Sequence, residues 1–151
     1  MDGFHQFALT IVLKSKYEVS FLLQKHFSCI ENESCLKVTN VTSKNGSELK
    51  YEIYNNFLEE NGITHLTTAP YTPQKNPLSE QGNGSTVAKA RCLLKDSGLS
   101  GSYWGKAVRA ATYLRNITPK RLLDHSTPFK KWFKRNPSYP HLQPSGCLLL
   151  P

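Results

Sequence analysis

Three prolines in nine residues, in APYTPQKNP (residues 69–77), constrain this 151-residue chain more than any other feature. Each proline fixes its own backbone torsion and removes a hydrogen-bond donor, so neither a helix nor a central strand can run through the segment. The chain on its two sides must therefore form separate regular elements. Pro77 suits the first position of a helix and Asn76 its cap. That helix runs to about Ser97, where Gly98 supplies a stop.

Before the proline loop, strand and helix patterns alternate. FALTIVL (7–13) is apolar and reads as a strand. Next, Val19, Leu22, Leu23, His26, Phe27 and Ile30 fall at helical spacing within KYEVSFLLQKHFSCIENE. LKVTNVT (36–42) is β-branched and alternating, a second strand, and the polar TSKNGSEL (42–49) closes it as a turn. LKYEIYNNFLEENG (49–62) predicts a helix with Ile53, Phe57 and Leu58 on one side and Gly62 as its end. ITHLTT (63–68) is a third strand. After the loop the pattern is helical: the Glu80 helix, then SYWGKAVRAATYLRN (102–116) with Tyr103, Trp104, Ala107, Ala111 and Tyr113 as core positions, then a short helix in TPFKKWFK (127–134). The expected class is α/β, with a small sheet and a helical C-terminal half.

Charge divides the chain in the same place. Residues 1–75 carry 7 Lys and Arg against 8 Asp and Glu, whereas residues 76–151 carry 12 against 3. A basic half of this kind suits a polyanion, because every phosphate it neutralises releases condensed counterions. The candidate phosphate contacts are Lys89, Arg91, Lys120, Arg121, Lys130, Lys131, Lys134 and Arg135. Trp132 and Phe133 are interleaved with the last four, a mixture that suits base stacking as well as a short amphipathic helix.

Other classes find little support. No apolar run reaches the roughly 18–20 residues of a membrane-spanning helix, and MDGFHQFALTIVL is a poor secretory signal, so no membrane partner is expected. Cys29, Cys35, Cys92 and Cys147 form no C-x-x-C pair and the five histidines are scattered, which gives no zinc pattern. Free thiols fit a nuclear or cytoplasmic location, where the sequons at Asn32, Asn40, Asn45, Asn83 and Asn116 carry no meaning.

Lys44 and Glu80 bracket 35 residues, from a strand end to a helix start. Together with LKSKYEV, KNGSEL, FLEENGITHLTTAPYTPQKN, ARCLLKDSGLSGSYWGKAVRAATYLRNITP, TPFKKWF and PSYPHLQPSGC, in that order, they resemble the catalytic core of copia-type retrotransposon integrases, which have an RNase H-like fold. The resemblance implies DNA as partner, oligomers of integrase-like chains, and strand transfer by a D-D-35-E triad. That triad holds two Mg²⁺ or Mn²⁺ ions roughly 4 Å apart, which demands several anionic oxygens.

This chain departs from the family pattern in three places. Lys44 stands where the second Asp aligns, and an ammonium offers a cation no lone pair. The first Asp falls before the aligned segment, and Asp2 does not replace it. The two arginines expected after Glu80 are Gln81 and Gly84. Glu80 is the surviving triad position, Glu48 a spare carboxylate beside a helix start, and His65 a structural residue. The expectation is an RNase H-like core lacking its first strand and most of its second, residues 1–118, with a basic extension at 119–151. It is a catalytically inactive remnant with no metal of its own. The alternative is a non-enzymatic module that binds DNA or pairs with an integrase.

Overall fold

The structure, a computed structural model, describes residues 4–13, 15, 18–34, 37–44, 51–68 and 77–144. Asp2, the proline loop up to Asn76, and the turn after Lys44, Glu48 included, lie outside them. The chain divides into two compact units, one of Leu13–Asn76 and one of Met1–Val12 with Pro77–Pro151.

The Leu13–Asn76 unit is a helix followed by a strand–helix–strand unit. Its elements are α1 (Val19–Ser34), β1 (Asn40–Lys44), α2 (Tyr51–Glu60) and β2 (Thr64–Thr68). The strands pair in parallel, from Asn40 opposite Thr64 to Lys44 opposite Thr68. A parallel pair needs a crossover, and α2 supplies it. The strand expected at 36–42 is therefore displaced toward the C-terminus. Ahead of it, the Val38 amide donates to the Glu31 carboxylate at 2.9 Å.

At the end of α2, Gly62 has φ +65°. Its amide donates to the Glu59 carbonyl at 3.1 Å, and the Ile63 amide reaches back to the Leu58 carbonyl at 2.8 Å. This is the double hydrogen bond of a Schellman stop. It drives Ile63 onto Leu58, and with Tyr54 these form the buried cluster of the unit, flanked by Leu23, Phe27, Val38, Val41 and Phe57. The rings of Phe27 and Phe57 stack at 6.0 Å.

The other unit is a helical hairpin with a short third helix: α3 (Pro77–Ser97), α4 (Trp104–Ile117) and α5 (Pro128–Phe133), with 3-10 turns at Gly101–Tyr103 and Arg121–Leu123. Gly98 takes φ +64° where α3 stops, as its position in the sequence requires. The two long helices cross on alanines. Ala90 of α3 and Ala107 and Ala111 of α4 form a buried cluster, bordered by Leu93, Leu94 and Val108. Tyr103, Trp104 and Tyr113, expected in this core, are instead exposed. Small residues at the crossing leave no groove for larger rings, so the aromatics fall to the sides of the helix. The Tyr113 hydroxyl makes a 2.6 Å hydrogen bond with His141 Nε2.

Phe7–Leu13 is not a strand, because no ladder partner lies beside it among the described residues. Side chains of α4 take that place. The Ala8 amide donates to Asn116 Oδ1 at 3.0 Å, and Asn116 Nδ2 donates to the Ala8 carbonyl at 2.7 Å. A carboxamide presents the same donor and acceptor as a peptide group, so it substitutes for one rung of a neighbouring strand. Phe7 stacks on Trp132 at 5.3 Å and meets the edge of Phe133 at 5.6 Å. Val12 packs onto Gly105, where a Cβ would stand 3.3 Å from its methyls.

Two glycines inside α3 separate by environment. Gly84 faces open space, while a Cβ at Gly82 would stand 2.6 Å from Nη2 and 2.9 Å from Cζ of Arg115. Gly84→Ala is expected to raise the unfolding free energy by up to about 1 kcal/mol through helix propensity alone. Gly82→Ala is expected to gain less, since the guanidinium must move. Urea unfolding of the two variants side by side checks the difference.

Candidate nucleic-acid interface

Gly82, Thr86 and Ala90 recur every fourth residue along α3, and Ala107, Ala111 and Arg115 do the same along α4. Such positions share one helix face. Ala90 meets the two alanines, and Gly82 meets Arg115, so the helices run antiparallel and the missing Cβ of Gly82 makes room for the guanidinium. Thr86 lies between them. Its hydroxyl donates to the Gly82 carbonyl at 2.8 Å and accepts from Arg115 Nη1 at 3.5 Å. Arg115 is buried, with 8% of its surface exposed. It lies on the core face of α4, where a cation is not expected from the apolar pattern. The signal that could have found it is Gly82, a residue without a side chain on the facing helix.

The guanidinium forms part of the wall of a pocket of about 310 Å³. Lys89, Lys120 and Arg121 line it as well, with Gln6, Gln81, Ser85 and Thr118 among the polar groups. Among the described residues, none that lines it is acidic. Lys120 is held there by an antiparallel bridge to Ser126, and its ammonium donates to Gln6 Oε1 at 3.1 Å. Burial pushes the Lys120 pKa down from 10.5 to about 8, and the charges of Arg115 and Lys89 push the same way. Burial likewise lowers the pKa of Arg115.

Of the eight predicted phosphate contacts, this pocket gathers three: Lys89, Lys120 and Arg121. Arg91, two residues further along α3 than Lys89, does not line it. Lys130, Lys131, Lys134 and Arg135 are grouped separately, on and just after α5. The Arg135 guanidinium lies over the rings of Phe129 and Phe133, at 5.3 Å and 5.9 Å. Phe7 stacks on Trp132, and the His5 ring stands perpendicular to it at 5.5 Å. Internal packing therefore already uses a face of Trp132 that base stacking would need.

The two residues of the metal pattern belong to different units. Lys44 is the last residue of β1, in the Leu13–Asn76 unit, and Glu80 is an exposed residue in the first turn of α3 in the other. No cluster of three or more His, Cys, Asp and Glu side chains able to hold a metal occurs among the described residues. His65 Nε2 is 2.8 Å from the Ser43 hydroxyl, and its ring stands edge-on to Tyr54 at 5.4 Å. No helix of the described residues is long and apolar enough to cross a membrane.

Because the pKa of Lys120 lies below its unfolded value, the unfolded chain binds the extra proton between about pH 8 and 10.5. Below pH 8 the cost of a charged, crowded Lys120 is present in full, and it is relieved as pH climbs through that window. Stability is therefore expected to rise with pH there, and Lys120→Met to flatten the rise. Urea midpoints measured at about pH 7.5, 9 and 10 for both chains check this.

Sequence relatives agree on one source. The chain is 35% identical over 136 residues, 90% of its length, to the retrovirus-related Pol polyprotein of transposon TNT 1-94 from Nicotiana tabacum. It is 33% and 31% identical over its whole length to the corresponding polyproteins of transposons RE2 and RE1 from Arabidopsis thaliana. It spans about 10% of the length of each of these three relatives. No family model matches the chain.

Solved structures agree on the fold. The catalytic core domain of BIV integrase superposes with a TM-score of 0.59 at 17% identity, over 83% of this chain and 76% of that one. The HTLV-2 integrase catalytic core domain superposes with 0.54 at 16% identity, over 78% and 68%. A chain of the simian T-cell lymphotropic virus intasome gives 0.61 at 17%, over 87% of this chain and 45% of that one. With Lys44 closing a strand and Glu80 opening the helix after the proline loop, the chain has the fold of an integrase catalytic core and is related in sequence to the Pol polyproteins of retrotransposons.

Proposed function

We propose that this chain is an integrase core that no longer performs strand transfer and that contacts nucleic acid through its basic half. The observation that carries the first part is Lys44. In the family pattern a metal-binding acid stands at that strand end, and here the position holds an ammonium, which repels a divalent cation. Without a carboxylate at position 44, Glu80 lacks the partner that two ions need, since their charges must be balanced by several carboxylate oxygens. A donor set with an ammonium at this position does not fit the two-metal centre.

The second part rests on charge and placement. Lys89, Lys120 and Arg121 come together with Arg115, while Lys130, Lys131, Lys134 and Arg135 form a second group around α5. Arg91 remains a candidate contact on α3. The intasome and the dimeric core among the structural neighbours favour a further reading, in which the chain pairs with integrase-like chains. On either reading residues 1–118 are the core and 119–151 its basic extension.

Incubation with labelled duplex DNA and Mg²⁺ or Mn²⁺ is expected to yield no joined or nicked product. A metal-dependent product that disappears in Glu80→Gln would overturn the inactive reading. DNA affinity is expected to fall with salt. Neutralising Lys130, Lys131, Lys134 and Arg135 together should reduce the slope of log K against log salt by roughly 0.9 for each phosphate contact removed. A slope that stays at the parent value would remove α5 from the interface.

A further inference from the structure

The pocket between α3, the end of α4 and the turn at Arg121 is built in a way that general polyanion attraction does not explain. Contacts to a nucleic-acid backbone are made well by exposed lysines on a convex face. Here one of the cations, Arg115, is only 8% exposed, and it reaches the pocket only because residue 82 has no side chain. Its position is further set by Thr86, whose hydroxyl is committed as donor to the Gly82 carbonyl and so turns a lone pair to the guanidinium. Around it stand Lys89, Lys120 and Arg121, with Gln81 as a further donor and no carboxylate among the described lining residues. The Ser85 and Thr118 hydroxyls also line the pocket but donate to the Gly82 and Leu114 carbonyls, at 3.0 Å and 2.6 Å. The volume of about 310 Å³ falls near the lower end of the roughly 300–1,000 Å³ typical of small-ligand sites.

We infer that this pocket binds a single phosphate group, either free or at the end of a nucleic-acid strand. A guanidinium presents two parallel donors to two oxygens of a phosphate, and ammonium groups approach as mobile point charges from the sides. Four cations lining one pocket repel, and a dianion placed among them relieves that repulsion. Lys120 faces Arg115 from α4, Lys89 from α3, Arg121 from its own turn and Gln6 from the N-terminal segment. The first two already disfavour its charge. A bound dianion reverses their effect, so binding takes up a proton near pH 8 and weakens as the pH rises beyond it.

The inference extends the nucleic-acid reading and rests on it only for the strand-end source. It is tested with the full 151-residue chain by calorimetric titration with inorganic phosphate, against chloride at matched ionic strength. Saturable binding of phosphate alone is expected, weakened about tenfold or more by Lys120→Gln and by Lys89→Gln, and unchanged by Lys25→Gln on α1. Circular dichroism of each variant confirms that it folds.

Titration with an oligonucleotide carrying a 5′-phosphate, beside the same strand with a 5′-hydroxyl, separates the sources. Tighter binding of the phosphorylated strand, lost in Lys120→Gln, assigns the pocket to strand ends. Equal binding of the two strands, with inorganic phosphate still bound, assigns it to the free ion. Absence of saturable phosphate binding overturns the pocket, and equal strand binding would then leave the broader DNA reading standing. Phosphate binding with no binding of either strand keeps the pocket and sinks the DNA reading.

Discussion

The crossing of α3 and α4 on alanine is the contact on which the chemistry of the Met1–Val12 and Pro77–Pro151 unit depends. Ala90 has no exposed surface and neither has Ala111. Side chains this small let two helices approach closely, and close approach carries strict geometric consequences along both helices. Two turns toward the start of α3 the facing residue is Gly82, and one turn toward the end of α4 it is Arg115. The only way to seat an arginine at such a separation is to lay its guanidinium flat against a residue without a Cβ. The same spacing then holds Lys89, one residue before Ala90, close to the chain that leaves α4 at Thr118. A basic pocket is thus a by-product of a tight helix pair, completed by a turn that carries Lys120 and Arg121.

Most of this architecture can be read in the sequence. Pro77, Gly98, Gly62 and Thr127 mark element ends through the backbone torsions and hydrogen bonds they impose, and Thr127 accepts from the Lys130 amide at 3.0 Å. These are local effects, and local effects survive in a sequence pattern. Phe7–Leu13 misleads for the opposite reason. Its composition suits a strand, but a strand exists only by virtue of a neighbour, and the neighbour here is the side chain of Asn116, far away along the chain.

The site divides along the same line. Lys89, Lys120 and Arg121 are legible because charge is a property of composition. Arg115 is not, because its role comes from the absence of an atom at position 82, seen only when the two helices are brought together. Trp132 and Trp104 illustrate the converse. The pattern places Trp104 in the core and leaves Trp132 open between base stacking and a short amphipathic helix, whereas the packing turns the first outward and stacks Phe7 on the second.

Asn116 lends the N-terminal segment a property that a strand would not have given it. A ladder of peptide hydrogen bonds is blind to sequence, and a strand in it can slip by two residues and still present the same face. A single carboxamide clamped on Ala8, with Phe7 fitted against Trp132 on one side and Val12 seated on Gly105 on the other, admits one register only. The segment is therefore located by side-chain identity at a few points, like a key by its cuts, and not by the repetitive pairing through which misaligned or foreign strands are taken into a sheet.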